Sequence, residues 1–176
     1  MARPLDGKVA IVTGGSRGIG AAIATELARR GASIVLTYVS SAKGALATLH
    51  QIEAVGGPKA VAVQADCSDA EVAARKVVAE AVKGFGPGID IIVNNAANGN
   101  DHSLEEVDTP TFDIMFHTNV LFPLALVKES APYLRRCGRI VNISSAGARA
   151  RKYEERRSIS TLVHMKPSHR TSPFAD

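Results

Sequence analysis

A glycine-rich turn near the amino terminus carries the first residues that can do chemistry. Gly14, Gly18 and Gly20 follow an apolar stretch at residues 9–13 and open an apolar helical segment at residues 19–30. Glycines let the backbone bend sharply and approach a pyrophosphate, and the helix that begins there points free N–H groups at the phosphates. The turn therefore predicts a dinucleotide-binding site. The alternative, a tight structural turn without a ligand, is weaker because a repeating α/β pattern follows.

The segments that must position this turn alternate between strand and helix. Short, mainly apolar runs predict five strands, at residues 9–13, 33–38, 61–65, 89–94 and 138–144. Helical segments lie between them, at residues 19–30, 42–55, 68–83 and 110–134. Right-handed crossovers then give an α/β fold, a parallel sheet that is covered by helices on both faces.

Capping residues mark several helix ends. Gly31 is predicted to close the first helix. Ser68, with Glu71 three residues later, predicts a capping box at the start of the third helix. Thr109 and Pro110 suit the N-cap and the first helical position of the fourth.

Composition excludes several classes of protein. The hydrophobic fraction of 45% and the charged fraction of 22% are those of an ordinary globular chain. We expect no membrane partner and a cytoplasmic location, because no apolar run reaches membrane-spanning length and no apolar signal segment opens the chain. The five histidines and two cysteines show no metal-ligand spacing, so we expect no metal site.

The net charge divides the chain in two. Residues 1–148 contain 14 Lys and Arg and 14 Asp and Glu, whereas residues 149–176 contain seven and three. A neutral domain with a solvated basic tail favours no nucleic-acid partner, and contact of the tail with RNA or an acidic membrane is the alternative. The tail also lacks a clean apolar period. We therefore predict a nucleotide-binding domain over residues 1–148 and a disordered tail over residues 149–176.

The motifs together resemble the short-chain dehydrogenase/reductase family. The glycine spacing of residues 14–20 and the segment Asn94-Asn95-Ala96-Ala97 carry the likeness, although the family usually has glycine in place of Ala97. Further fitting stretches extend the resemblance over residues 5–148: Leu5-Asp6-Gly7-Lys8, Asp66, Asn119, Leu121-Phe122-Pro123 and Gly138 to Ser145. The resemblance implies a Rossmann-like doubly wound parallel sheet with strand order 3-2-1-4-5, incomplete at its C-terminal side.

The resemblance implies which residues hold the cofactor: Gly14, Ser16, Arg17, Gly18, Ile19, Gly20, Tyr38, Ser40, Ser41, Lys43, Asp66, Cys67, Asn95 and Ala96. Tyr38 stands where NAD-binding proteins place an acid for the ribose 2′-hydroxyl, so no carboxylate repels a phosphate there. Arg17 and Lys43, with Ser40 and Ser41 nearby, suit charge-assisted bonds to a 2′-phosphate. NADP(H) is therefore favoured over NAD(H). The alternative is that Arg17 and Lys43 are solvated surface charges.

The resemblance also implies a reaction, the interconversion of a ketone and a secondary alcohol. Ser145 matches the family serine that orients the carbonyl, and Asn119 matches the asparagine that supports a proton-relay water. The family adds a tyrosine that transfers the proton and a lysine, four residues later, that lowers its pKa. Without such tuning a phenol, with a pKa of about 10, is too weak an acid at neutral pH.

The tyrosine and lysine of this pattern are not where the family places them. The family spacing leads to Ser158 and Leu162. Tyr153 with Arg157 has the right internal gap, but Tyr153 follows Ser145 by only eight residues. Arginine is also a poor substitute for lysine, since it neither loses its proton nor matches a compact ammonium.

These observations give one expectation and three alternatives. We expect a truncated form of an NADP-dependent oxidoreductase, with a retained cofactor site and an incomplete active site. A competent enzyme that uses Tyr153 is one alternative, acting on a small ketone or alcohol. A second is a non-catalytic partner that pairs through the helix at residues 110–134, which forms oligomer contacts in the family. A third is a frameshifted or mis-spliced product of an ordinary reductase gene.

Overall fold

The computed structural model describes residues 3–99 and 106–145. The predicted tail, with Tyr153, lies outside the described residues. Strands and helices alternate along the described chain as follows: β1 (Val9–Val12), α1 (Gly18–Arg29), β2 (Ser33–Tyr38), α2 (Ala42–Ala54), β3 (Ala60–Gln64), α3 (Ala70–Phe85), β4 (Ile89–Asn94), α4 (Thr109–Phe116), a π-helical turn (His117–Leu121), α5 (Phe122–Ser130), a 3₁₀ turn (Ala131–Tyr133) and β5 (Leu134–Asn142).

The five strands form one parallel sheet in the order β3-β2-β1-β4-β5, which confirms the predicted order. Strand β1 lies at the centre, and all four of its residues are buried. Because side chains alternate across a strand, Ala10 and Val12 pack toward α1 and α2, whereas Ile11 packs toward α3 and α5. Both faces of the sheet are therefore covered, as a continuous apolar strand requires.

The helix at residues 109–133 has the length that the sequence predicts, but a π-helical turn and a 3₁₀ turn make it irregular. Its buried residues include Met115, Phe122 and Leu126, and the last two belong to the core cluster on the α3 side of the sheet. By length and composition this helix would suffice to cross a membrane, which the apolar runs of the sequence did not indicate. Its packing against the sheet and α3 is that of a core helix.

Two of the predicted caps are wrong, because a carboxylate stands beside each predicted residue. Asp69 is the N-cap of α3, while Ser68 donates from its backbone and hydroxyl to the carboxylate of Asp66. Asp108 caps α4 by accepting from the N–H of Thr111 at 2.9 Å. The prediction at Gly31 is confirmed, since its φ of 107° is the left-handed conformation that a helix end requires.

Strand β5 begins at Leu134, four residues before the predicted start. Its register against β4 shifts between the pairs Ile89–Leu134 and Ile91–Arg139, so the intervening residues of β5 bulge. Within this bulge Cys137 has a φ of 87°, which helix and strand signals in the sequence do not reveal. Among the described residues β5 pairs only with β4, and it lies at the edge of the sheet.

A buried carboxylate ties the amino ends of β1, β4 and β5 together. Asp90, whose side chain is 7% exposed, accepts from the N–H of Val9 at 2.9 Å and from the guanidinium of Arg135 at 2.8 Å. Its other oxygen accepts from the ammonium of Lys8 at 3.1 Å. Arg135 lies within the bulge of β5, and from there its guanidinium donates to Asp90.

The Asp90→Ala variant should lose about 2 kcal/mol of unfolding free energy, measured by urea denaturation. The loss arises because the N–H of Val9 and the cation of Arg135 are left without their acceptor. Glu26→Ala is the matched control, since Glu26 also pairs with two cations, Arg29 and Arg30, but lies at the surface, where water screens the charges. Equal losses in the two variants would contradict this role of Asp90.

Candidate functional site

The hydroxyl of Thr13 joins the carboxyl ends of β1 and β4. It accepts from the backbone N–H groups of Asn95 and Ala96, both at 2.9 Å, and donates to the carbonyl of Val93 at 3.3 Å. On the other side of β1, the hydroxyl of Thr37 accepts from the N–H of Gly14 at 3.1 Å. These bonds hold the start of the glycine turn between its two neighbouring strands.

The glycine turn packs against the residue that follows β4, and Gly20 there has no room for a side chain. The side-chain amide of Asn95 donates to the carbonyls of Thr13 and Gly14 at 2.9 and 3.3 Å. A Cβ at Gly20 would collide with the carbonyl of Gly14 and with this amide. Gly14 and Gly18 have φ values of 65° and 56°, which side-chain-bearing residues rarely adopt.

The first turn of α1 faces outward from this packed base. Arg17, Gly18 and Ile19 are exposed, and Gly20 is buried. Arg17 is the N-cap, and no side chain of the described residues caps the helix there. The N–H groups at the start of α1 therefore point to a place where a ligand oxygen can accept them.

The loop from β2 to α2 lies beside the glycine turn. Ser41 caps α2 by accepting from the N–H of Gly44 at 3.3 Å, which leaves its hydroxyl hydrogen able to donate to a ligand. A Cβ at Gly44 would stand 2.6 Å from the carbonyl of Ser16, so the helix and the turn are in direct contact. Near this contact Ser40 and Lys43 are exposed and Tyr38 is half-buried.

The two cations predicted for this region have no protein partner within the described residues. The side chains of Arg17 and Lys43 form none of the ion pairs found there. An arginine and a lysine left in solvent around a helix amino end make that end of the site positively charged.

The two predicted cofactor residues that follow β3, Asp66 and Cys67, differ in their exposure to solvent. Asp66 is exposed, and its bonds from the backbone and hydroxyl of Ser68 lower the pKa of its carboxyl group, which is therefore ionised at neutral pH. The thiol of Cys67 is buried in the core, and burial raises its pKa to about 12. Because the thiol lies in the core, Cys67 could contact a cofactor only through its backbone, and its predicted place in the cofactor site stays a prediction.

The candidate catalytic residues, Asn119 and Ser145, lie near the carboxyl ends of β4 and β5, and the glycine turn follows the carboxyl end of β1. Asn119 sits in the π-helical turn, where its side chain accepts from the N–H of Asn98 at 2.8 Å and donates to the Asn98 carbonyl at 3.0 Å. Ser145 is exposed and follows β5, whose path along β4 continues through a bond from the N–H of Ile143 to the carbonyl of Asn94. No group of His, Cys, Asp and Glu within the described residues forms a metal site.

Sequence reasoning missed the residues that hold this site together. Thr13 and Thr37 lie within predicted strands, and neither they nor Asn98 are among the predicted site residues. A threonine at the last buried position of a parallel strand was the available signal, because a buried hydroxyl there needs backbone partners from the neighbouring strands.

Comparison with known proteins agrees with this geometry. The family model described as short chain dehydrogenase matches residues 8–155. An uncharacterized oxidoreductase of Methylorubrum extorquens is 48% identical over 141 residues, which cover 80% of this chain and 56% of that protein. Versicolorin reductase 1 of Aspergillus parasiticus is 43% identical over 141 residues, which cover 80% of this chain and 53% of that protein.

A solved structure is similar to this chain in both fold and sequence. The short-chain dehydrogenase from Burkholderia cenocepacia, solved in complex with NADP, is 40% identical, with a TM-score of 0.81 over 90% of this chain and 62% of that chain. The chain spans about half the length of the curated relatives it matches. The matched family model, the parallel sheet of order 3-2-1-4-5 and the glycine turn packed against Asn95 agree, and the chain belongs to the short-chain dehydrogenase family.

Proposed function

We propose that this chain binds NADP(H) as the cofactor-binding part of an oxidoreductase and does not by itself turn over a ketone or alcohol. The observation that carries the proposal is the glycine turn, where Gly20 has no room for a Cβ and the uncapped start of α1 faces outward. A dinucleotide pyrophosphate fits such a base, because backbone N–H groups can reach its oxygens without an intervening side chain. The bound nicotinamide would supply hydride transfer.

Preference for NADP(H) over NAD(H) is supported by the charges around the β2–α2 loop. Tyr38 ends β2 where an acid would repel a 2′-phosphate. Arg17 and Lys43 are exposed cations without an ion-pair partner among the described residues, and Ser41 keeps a hydroxyl hydrogen to donate. The NADP complex of the Burkholderia cenocepacia relative is in accord with this preference.

The proton-transfer step lacks its residues in this chain. The three tyrosines are Tyr38, Tyr133 and Tyr153, and none has a lysine four residues later. Tyr133 packs against the core and Tyr38 borders the β2–α2 loop, so neither stands beside Ser145 at the end of β5. Ser145 and Asn119 can orient a carbonyl and a water, but a tyrosine and lysine for proton transfer would have to come from outside these 176 residues.

The purified chain should bind NADPH saturably and more tightly than NADH, and should consume no NADPH with a panel of small ketones. Cofactor fluorescence measures the binding, and absorbance of the reduced nicotinamide measures turnover. Failure to bind either cofactor, or NADPH consumption that is lost in Ser145→Ala, would falsify this function. Loss of such consumption in Tyr153→Phe would instead favour the competent enzyme.

Arg17→Ala should weaken NADPH binding about tenfold and change NADH binding by less than about twofold, since one charge-assisted bond to the 2′-phosphate is lost. Arg29→Ala is the matched control, because Arg29 lies at the opposite end of α1 and pairs with Glu26. Equal weakening for both cofactors would mean that Arg17 does not read the 2′-phosphate.

We also propose that the chain self-associates through the helix at residues 109–133. This helix exposes large apolar side chains that the described sheet does not cover: Phe112, Ile114, Phe116 and Leu124. Phe112 and Phe116 stack at 5.4 Å, so they form one surface. An apolar patch of this kind favours a protein partner. The neutral charge of residues 1–148 favours a cytoplasmic protein without a nucleic-acid partner, and the burial of Phe122 and Leu126 in the core favours no membrane partner.

Leu124→Glu should raise the dimer dissociation constant at least about tenfold, because it places a charge in an apolar contact. Sedimentation velocity measures the change. Leu46→Glu is the control, since Leu46 on α2 is 55% exposed and Leu124 is 64% exposed. A wild-type chain that stays monomeric, or an equal effect of the two substitutions, would contradict this interface.

A further inference from the structure

Gln64, the last residue of β3, bonds to the loop that carries the proposed 2′-phosphate ligands. Its side-chain amide donates to the carbonyl of Val39 at 3.0 Å. Val39 is the first residue after β2 and directly precedes Ser40 and Ser41. The bond therefore joins the end of one strand to the cofactor loop of its neighbour.

The geometry explains why a side chain makes this bond. Tyr38 and Gln64 are the last paired residues of β2 and β3, and the N–H of Ala65 donates to the carbonyl of Tyr38 at 2.9 Å. Beyond that pair the strands separate, because β2 turns toward α2 and β3 continues to Asp66. The amide of Gln64 reaches across this gap and donates to the carbonyl of Val39, one residue beyond the last backbone pair.

The other end of the same loop is fixed by α2. The cap from Ser41 to the N–H of Gly44 and the close approach of Gly44 to Ser16 hold the start of the helix against the glycine turn. Between Val39 and the capping residue Ser41, only Ser40 intervenes. The bond from Gln64 thus holds one end of this short segment, and the cap of α2 holds the other.

We infer that Gln64 is a positioning residue for recognition of the 2′-phosphate: it sets the loop at residues 39–41 and so controls discrimination between NADP(H) and NAD(H). This inference rests on the proposed function. Gln64 acts through the loop, because its amide is engaged with Val39 and its donor is directed to a backbone carbonyl. Loss of the bond leaves the glycine turn, which holds the pyrophosphate of both cofactors, in place.

The test uses the Gln64→Met variant, which keeps the length of the side chain and removes its donor. The probes are 2′,5′-ADP, which carries the 2′-phosphate, and 5′-ADP, which lacks it, with each dissociation constant measured by calorimetry. We expect the dissociation constant for 2′,5′-ADP to rise about fivefold, the scale of one neutral hydrogen bond, and that for 5′-ADP to change by less than about twofold. Gln51→Met on the exposed surface of α2 is the matched control and should change neither constant.

Three outcomes overturn the inference: no change in the Gln64→Met variant, equal weakening for both probes, or an equal effect of Gln51→Met. Thermal unfolding of each variant separates a folding defect from a binding defect, and Gln64→Glu gives a second variant that also removes the donor. A wild-type chain without preference for 2′,5′-ADP would sink the proposed function itself. A wild-type chain with that preference and an unaffected Gln64→Met variant would sink only the role of Gln64.

Discussion

The hydrogen bonds of the Thr13 hydroxyl are the contacts on which the rest of the site depends. It lies at the carboxyl end of the central strand, where it accepts hydrogen bonds from the N–H groups of Asn95 and Ala96 and donates one to the carbonyl of Val93. A buried hydroxyl without such partners would cost stability, so the end of β4 must stay beside β1. This fixed edge positions the amide of Asn95 under the glycine turn, and that amide sets how closely α1 approaches the sheet.

At each end of the sheet a side chain forms hydrogen bonds that the backbone pairing does not supply. At the amino end, the carboxylate of Asp90 accepts hydrogen bonds from the N–H of Val9 and from the side chains of Lys8 and Arg135, which fixes β1, β4 and β5 in register. At the carboxyl end, Gln64 donates to Val39 after the pairing of β2 and β3 has stopped. In both places a side chain supplies a hydrogen bond beyond the last backbone pair, but only the carboxyl end faces the proposed ligand.

The predicted cofactor residues and the candidate catalytic serine lie on different parts of the sheet. The predicted cofactor residues lie at the carboxyl ends of β1, β2, β3 and β4 and in the loops and helix starts that follow these strands. Ser145 follows the edge strand β5, where Ile140 and Val141 are exposed on alternate sides of the strand. The described residues therefore include every residue predicted to hold the cofactor, whereas the positions to which the family spacing leads for the tyrosine and lysine lie outside them.

The sequence by itself determined the alternation of strands and helices, and four of the five strands to within one residue at each end, because apolar periodicity is a local signal. Its glycine spacing predicted a ligand site, and its resemblance to the short-chain dehydrogenase/reductase family implied the strand order that the structure confirms. It misplaced the start of β5, since the bulge depends on the register against β4, and two helix caps, since the aspartates beside the predicted residues take the N-cap positions. Only the tertiary structure decided that the thiol of Cys67 faces the core, that Thr13 and Asn95 form the base of the site, and that Gln64 bonds to Val39. The physical reason is that these contacts join residues distant in sequence, and their partners are fixed only when the strands lie side by side.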